Sequence, residues 1–240
     1  MISVCIATHN GGKYIKEELL SILPQLSADD EIVVSDDGST DDTINEIMSI
    51  ADSRIRVVSK EHSQQGRKVH YYVSHNFENA LKHAKGDVIF LADQDDVWMP
   101  NKVSECLAAL ENNIAVLHNL ECVDGNLDSL GYLWYNSNLQ FRRHNWLMRR
   151  GKHMGCGLAF KRELLQKILP FPKNMIIHDF WIGLIAELRG GLGFIDKPLI
   201  KYRIHGDNAS GKTQKKNSLL FKLYYRIYTI VHVCFRTLSF

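Results

Sequence analysis

At 240 residues, 45% of them hydrophobic, the chain can bury a substantial core as one large α/β domain or one domain with an appendage, and its length argues against two equal domains. Its 29 Lys and Arg stand against 27 Asp and Glu, a balance of +2 that gives no global sign of a nucleic-acid binder and leaves the partner to be inferred locally. The five cysteines, Cys5, Cys106, Cys122, Cys156 and Cys234, have no C-x-x-C pairing, which argues against a disulfide framework or zinc site and fits a reducing cytoplasm.

The N-terminus enters a strand-like run at once, with no charged leader and cleavage site, and no apolar run reaches the ~18 residues expected of a membrane-spanning helix. Residues 2–7, 31–35, 55–59 and 87–92 are short, β-branched runs alternating with helical patterns, the signature of βαβ units around a mostly parallel, Rossmann-like central sheet flanked by helices. Apolar stripes at 44, 47, 48 and 51, at 77, 80, 81 and 84, and at 103, 106, 107 and 110 predict three covering helices. Ser39 to Thr43 offer N-caps for the first of these, and Thr43 with Glu46 has capping-box spacing.

Alternation over 114–123 predicts another strand, and the aromatic-rich stretch from there to Arg150, with Trp134, Tyr135, Phe141 and Trp146, reads as a loop region. GCGLAF (155–160), a helix through Leu164 and Ile168, and a second helix striped at 181, 184, 185 and 188 follow. GGLGFI and KPLIKYRIHG read as two further strands. The last segment, SLLFKLYYRIYTIVHVCFRTLSF, is apolar and aromatic, carries Lys222, Arg226 and Arg236, and follows KTQKKN. It reads as a core-docking helix, an oligomer contact or a membrane-surface helix, with its basic residues favouring the last.

In an open α/β sheet, ligands bind beyond the carboxyl ends of the strands. Polar clusters fall there: THNGG (8–12), DDGSTDD (36–42) and DQDD (93–96). Asp93, Asp95 and Asp96 crowd three carboxylates into four positions, where they repel and raise one another's pKa values unless a cation sits among them. No G-x-G-x-x-G or Walker pattern is present to cradle phosphate directly, so a hard divalent cation, Mg²⁺ or Mn²⁺, that bridges carboxylates to a diphosphate resolves the conflict.

The order ATHN, VSDDGSTD, GDVIFLADQDDVW, GCGLAF, HDFW (178–181) and YRIHGDN (202–208) resembles a family 2 inverting glycosyltransferase of GT-A (nucleotide-diphospho-sugar transferase) fold over roughly residues 1–210. DQDDVW with HNFENAL (75–81) is similar to its rhamnosyltransferase-like branch. The resemblance implies a nucleotide-sugar-binding half (1–112) and an acceptor half (113–210); the basic, apolar stretch that follows (211–240) reads from its composition as a tail helix. Carried over by position, it implies Thr8, Asn10, Asp36, Asp37, Asp93 and Arg203 at the donor, Asp95 and His205 at the metal, and Asp96 and His178 in support. Asp179, at a helix start whose amides and dipole would hold it ionised, is the implied base.

The implied activity is metal-dependent transfer of rhamnose or another hexose from a UDP- or dTDP-linked donor to a hydroxyl of a glycan or lipid-linked glycan, at the inner face of the cell membrane. The alternatives are a catalytically silent binding module of the same fold and a sugar nucleotidyltransferase. The second is disfavoured because that chemistry brings a basic, Gly-rich loop after strand one, whereas THNGGKY has only Lys13. The bland readings are a solvated acidic turn for DQDD, helix capping for Ser39 to Asp42 and for Asp179, and a hydrogen-bonded structural residue for His205.

Overall fold

The computed structural model describes residues 1–59, 69–135, 153–175, 177–189, 191–206 and 219–238. The stretch holding Phe141 and Trp146, and the KTQKKN run, lie outside the described residues. Strands β1 (Ile2–Thr8), β2 (Glu31–Asp36), β3 (Ile55–Ser59) and β4 (Val88–Ala92) form a parallel block in the order β3-β2-β1-β4. Their near-continuous apolar character follows from burial on both faces: every residue of β2, and all of β1 but Ala7, is buried. Helices α1 (Ile15–Ile22), α2 (Thr43–Ser49) and α3 (Val69–His83) complete this half.

Beyond β4 the sheet becomes mixed. β5 (Val97–Trp98) and α4 (Lys102–Leu110) lead to β6 (Ala115–Val123), which β7 (Ser129–Leu133) joins antiparallel. β8 (Leu158–Lys161) is inserted antiparallel between β4 and β6. The two strands expected over GGLGFI and KPLIKYRIHG are one, β9 (Leu192–Arg203), running parallel to β6 with register shifts around Asn119. Asn119 donates to Tyr135 O and Asp196, so the ladder bulges there without breaking. The C-terminal end of β9 also pairs with β5, which sets Lys201 opposite Val97 and carries the chain on to the loop of residues 93–96.

Helix α5 (Leu165–Ile168) precedes α6 (His178–Leu188), whose Trp181, Leu184 and Ile185 are buried as their spacing predicts. Helix α7 (Leu219–Leu238) packs on α5 and α6, and its Tyr225 and Val233 join the single core cluster that runs through both halves of the sheet. Among the described residues no helix is long and apolar enough to cross a membrane. No disulfide joins the five cysteines, and four of them are buried.

Candidate active site

The order β2-β1-β4 places the three polar loops side by side at one edge, and hydrogen bonds weld them into one rim. The first loop is tied to the second by Asn10 N to Ser39 Oγ (2.9 Å), Gly11 N to Thr43 Oγ1 (2.8 Å), Gly12 N to Asp41 Oδ2 (3.0 Å) and Thr40 N to Asn10 Oδ1 (2.8 Å). Thr43 thus stitches loops together; α2 has Asp42 at its N-cap position with no side-chain cap, and the Thr43–Glu46 capping box expected from the sequence does not form. Asn10 takes φ of 50°, a left-handed geometry that asparagine tolerates.

The first loop is tied to the third by Gln94, whose Oε1 accepts from Thr8 Oγ1 (2.7 Å) and His9 N (2.9 Å). Thr8 is buried, with its carbonyl accepting from Asp37 N and Asn76. Asp36 folds onto its own loop, accepting from Gly38 N, Ser39 N and Ser39 Oγ. Asp37 is buried, and its carbonyl accepts from His9 Nδ1 at 2.9 Å. Asp36 therefore shapes the loop, and Asp37 lies at the junction of both loops.

At the third loop, Asp95 Oδ2 meets His205 Nε2 at 2.8 Å. Arg203 makes this meeting possible. It donates from its backbone N to Asp96 Oδ1 (3.0 Å), from Nε to Asp95 O (2.7 Å), from Nη1 to Gly125 O (2.7 Å) and from Nη2 to Glu17 Oε2 (2.5 Å), and its guanidinium lies 4.5 Å from the Tyr14 ring centroid. The resemblance implied Arg203 at the donor; the structure buries its guanidinium among these partners as a staple between α1, β9 and the acidic loop.

Asp93 is half-buried, and burial together with the charges of Asp95 and Asp179 raises its carboxyl to about 7. Burial, then the Asp95 and Asp93 charges, push Asp96 well above the usual carboxylate range. Behind them lies Glu18, fully buried, raised well above its ordinary value by burial and with neither carboxylate oxygen hydrogen-bonded. The compensating cation is Lys102, also fully buried, donating to Cys156 O at 2.7 Å and lying 3.9 Å from the Trp98 ring centroid.

Asp179 starts α6, half-buried, and accepts from the Phe180 amide at 2.7 Å. The amides were expected to hold it ionised; burial outweighs them and raises it to about 6. Gly155 is the neighbour that gives it room, since a Cβ there would lie 3.6 Å from Asp179 Cβ and 3.0 Å from His178 Nε2. His178 itself is a core residue, stacked on Phe77 with centroids 4.3 Å apart and hydrogen-bonded to Ser74, and burial lowers it to about 3, so its ring is neutral.

Asp93, Asp96 and Cys156 place potential ligand atoms all within 4.8 Å of one another. Burial holds Cys156 as a thiol, well above its ordinary pKa, which makes it a poor ligand. The oxygen-rich set of Asp93, Asp95 and Asp96 with the His205 imidazole fits a hard divalent ion. Sequence reasoning missed Gln94, Tyr14, Glu17, Glu18 and Lys102. Gln94 lay in plain view inside DQDD; Tyr14, Glu17 and Glu18 were missed because no apolar stripe was read over α1, and Lys102 because α4 was read only for its apolar face.

A parallel block continued by a mixed one, with an acidic rim at the β1, β2 and β4 ends, defines the GT-A class of nucleotide-sugar transferases. Residues 3–169 match the model of "Glycosyl transferase family 2", and the chain belongs to that family. It is 30% identical to an uncharacterised glycosyltransferase of Nostoc, covering 86% of this chain and 66% of that protein. It is 28% identical to the dTDP-rhamnosyl transferase RfbG of Shigella flexneri, covering 86% and 73%. The chain spans 36% of the length of each of two rickettsial glycosyltransferases it also matches. Among solved structures, S. aureus TarS in complex with UDP-GlcNAc superposes with a TM-score of 0.70 at 19% identity, covering 97% of this chain and 66% of that one. The mannosyltransferase PcManGT of Pyrobaculum calidifontis, in complex with GDP-Man and Mn²⁺, superposes at 0.57 with 20% identity, covering 100% and 64%.

Proposed function

We propose that the chain transfers a sugar, rhamnose or another hexose, from a UDP- or dTDP-linked donor to a hydroxyl of a glycan or lipid-linked glycan, with inversion. The observation that carries this is the nearness of Asp179 to the acidic loop: a Cβ on Gly155 would lie 3.6 Å from Asp179 Cβ, and the next residue, Cys156, has its thiol within 4.8 Å of Asp93 and Asp96, beside the Asp95–His205 pair. The similarity to RfbG supports a deoxyhexose donor, and the complexes of TarS with UDP-GlcNAc and of PcManGT with GDP-Man support a nucleotide-sugar donor.

In this reading Asp37 meets the base, Thr8 and Asn10 shape the pocket wall, and Asp93 meets the ribose. Asp95 and His205 hold Mn²⁺ or Mg²⁺, with Asp96 fixed behind them by the Arg203 amide. The metal supplies Lewis-acid stabilisation of the leaving diphosphate's charge. Asp179 takes the proton of the acceptor hydroxyl as that oxygen attacks the anomeric carbon, and the diphosphate oxygen departs with the bonding pair. Arg203 and Gln94 hold the loops in register. The acceptor is met at the inner face of the cell membrane, with the C-terminal helix touching the surface.

A thermal-shift screen of UDP, dTDP and GDP with and without Mn²⁺ tests the reading, together with a transfer and donor-hydrolysis assay. A Mn²⁺-dependent shift with UDP or dTDP and turnover of the matching sugar nucleotide are expected. Nucleotide binding without any turnover would instead favour the silent binding module.

A further inference from the structure

The C-terminal helix has two faces of opposite fate. Its inner face is fully engaged: Tyr225 Oη donates to Met175 Sδ (2.9 Å) and accepts from Ile177 N (3.2 Å), and Tyr228 Oη accepts from Asn174 N (3.1 Å). Arg236 donates to Leu169 O and Pro170 O, and Thr229 and Val233 are buried. These bonds fix the roll of the helix, so its other face cannot turn inward. That outer face carries Leu220, Leu223, Tyr224, Ile227, Val231 and Phe235, at 80%, 56%, 57%, 54%, 43% and 72% exposure. Their spacing of three and four residues makes one continuous stripe along the helix.

The charge of the sequence that carries the stripe points to what covers it. Residues 208–240 hold Lys212, Lys215, Lys216, Lys222, Arg226 and Arg236 and no acidic residue, while the whole chain is only +2, so the remainder is net acidic. A second copy would bring cations against cations, and the acidic remainder of the domain would be drawn to the same segment only at the expense of its exposed apolar stripe. An exposed apolar stripe with the exposed Arg226 beside it, in a stretch of sequence that holds six cations and no acidic residue, on a helix unable to cross a bilayer, matches an anionic lipid surface.

We propose that the outer face of α7 seats the protein on an anionic bilayer surface, with Leu223, Ile227 and Phe235 in the headgroup–acyl boundary and Arg226 among the headgroups. This deepens the proposed function and rests on it for its purpose. Tyr228 and Tyr225 hold the amides of Asn174 and Ile177, and Ile177 lies two residues before Asp179, so the helix that meets the lipid also helps to fix the base that would take the proton of a lipid-carried hydroxyl.

The test is flotation of the full chain with vesicles of phosphatidylcholine alone and of phosphatidylcholine mixed with phosphatidylglycerol, at low and high salt. Binding to the anionic vesicles alone is expected. It should weaken with salt, fall at least ~10-fold in Leu223→Ser/Ile227→Ser/Phe235→Ser and several-fold in Arg226→Glu, and stay unchanged in Leu20→Ser/Met48→Ser, whose exposed side chains lie elsewhere. Melting curves check that each variant folds; should the triple variant not fold, Arg226→Glu carries the decision. Absence of wild-type binding, equal binding to neutral vesicles, or undiminished binding of the variants overturns the proposal. So does a lipid-free dimer that the triple variant dissolves, because a second copy would then cover the stripe. The Mn²⁺-dependent nucleotide shift, measured on the same proteins, separates the two ideas: its absence with vesicle binding intact sinks the transferase reading, and its presence without vesicle binding sinks only the docking.

Discussion

The Asp95 carboxylate and the His205 imidazole meet at 2.8 Å although 110 residues separate them. The pairing of β5 with the end of β9 brings His205 to the acidic loop, and the Arg203 side chain, bonded to Asp95 O, holds it there. The tilted contact between the Tyr14 and His205 rings, 4.9 Å between centroids, fixes the imidazole from the side of α1. Two convergent donors of this kind, one carboxylate oxygen and one imidazole nitrogen, suit a divalent ion.

Asp95→Ala is therefore expected to abolish the Mn²⁺-dependent stabilisation by UDP or dTDP. In the wild type, nucleotide at about 100 times its Kd adds about 2.7 kcal/mol, which a melting curve resolves easily. His205→Ala should weaken metal-dependent nucleotide binding by about 10- to 100-fold. A full shift in both variants would move the metal away from this pair.

Arg203→Lys should be destabilising although charge is kept. A lysine cannot reach Asp95 O, Gly125 O and Glu17 together, nor stack flat on Tyr14. Hydrogen bonds from a charged donor contribute about 1.5–3 kcal/mol each, so a loss of about 2–4 kcal/mol in urea unfolding is expected. Glu17→Gln, at a half-exposed partner, should change stability by about 1 kcal/mol or less. If Arg203→Lys leaves stability intact and removes nucleotide binding, the guanidinium serves the ligand and not the loop.

The parallel block was legible because its strands are buried on both faces and its helices carry clean stripes. Helix α1 was not: its buried positions are Ile15, Glu18, Leu19 and Ile22, and the buried carboxyl Glu18 interrupts the apolar pattern. β7 escaped because all five of its residues are exposed, which removes the alternation that marks a half-buried strand. Eleven carried-over site residues lie in the described structure, but their division of labour was not readable. Whether Asp36 faces a ligand or its own loop depends on the turn at Gly38, with φ of 73°, and whether Arg203 faces a phosphate or a carbonyl depends on the β5–β9 pairing.

Gly11→Ala should injure donor binding more than stability. A Cβ at this position would lie 2.5 Å from Gln94 Oε1, the atom that joins the first loop to the third, so Gln94 must let go of Thr8 or His9. The glutamine is a flexible side chain and can move. We expect a melting temperature within a few degrees of wild type, consistent with a cost of about 1 kcal/mol, and at least a several-fold loss of nucleotide affinity. Unchanged affinity would mean that the Gln94 link does not shape the pocket.

Asp179→Asn should keep the Mn²⁺-dependent nucleotide shift and lose about 10²- to 10⁴-fold in transfer, the usual contribution of a positioned base. The raised pKa of about 6 sets the pH behaviour. Transfer needs the ionised carboxylate, so its rate should climb as pH passes through about 6 and level off above it. Stability runs the other way. Between the ordinary value of 3.8 and about 6 the unfolded chain has released this proton and the folded chain still holds it, so the contribution of Asp179 to stability falls as pH rises across that window. Asn cannot titrate, so the variant should show a flatter melting profile from pH 4 to 7 and, at pH 7, be no less stable than the wild type while inactive. Loss of the nucleotide shift together with transfer would make Asp179 a structural residue and send the search for the base elsewhere on the rim.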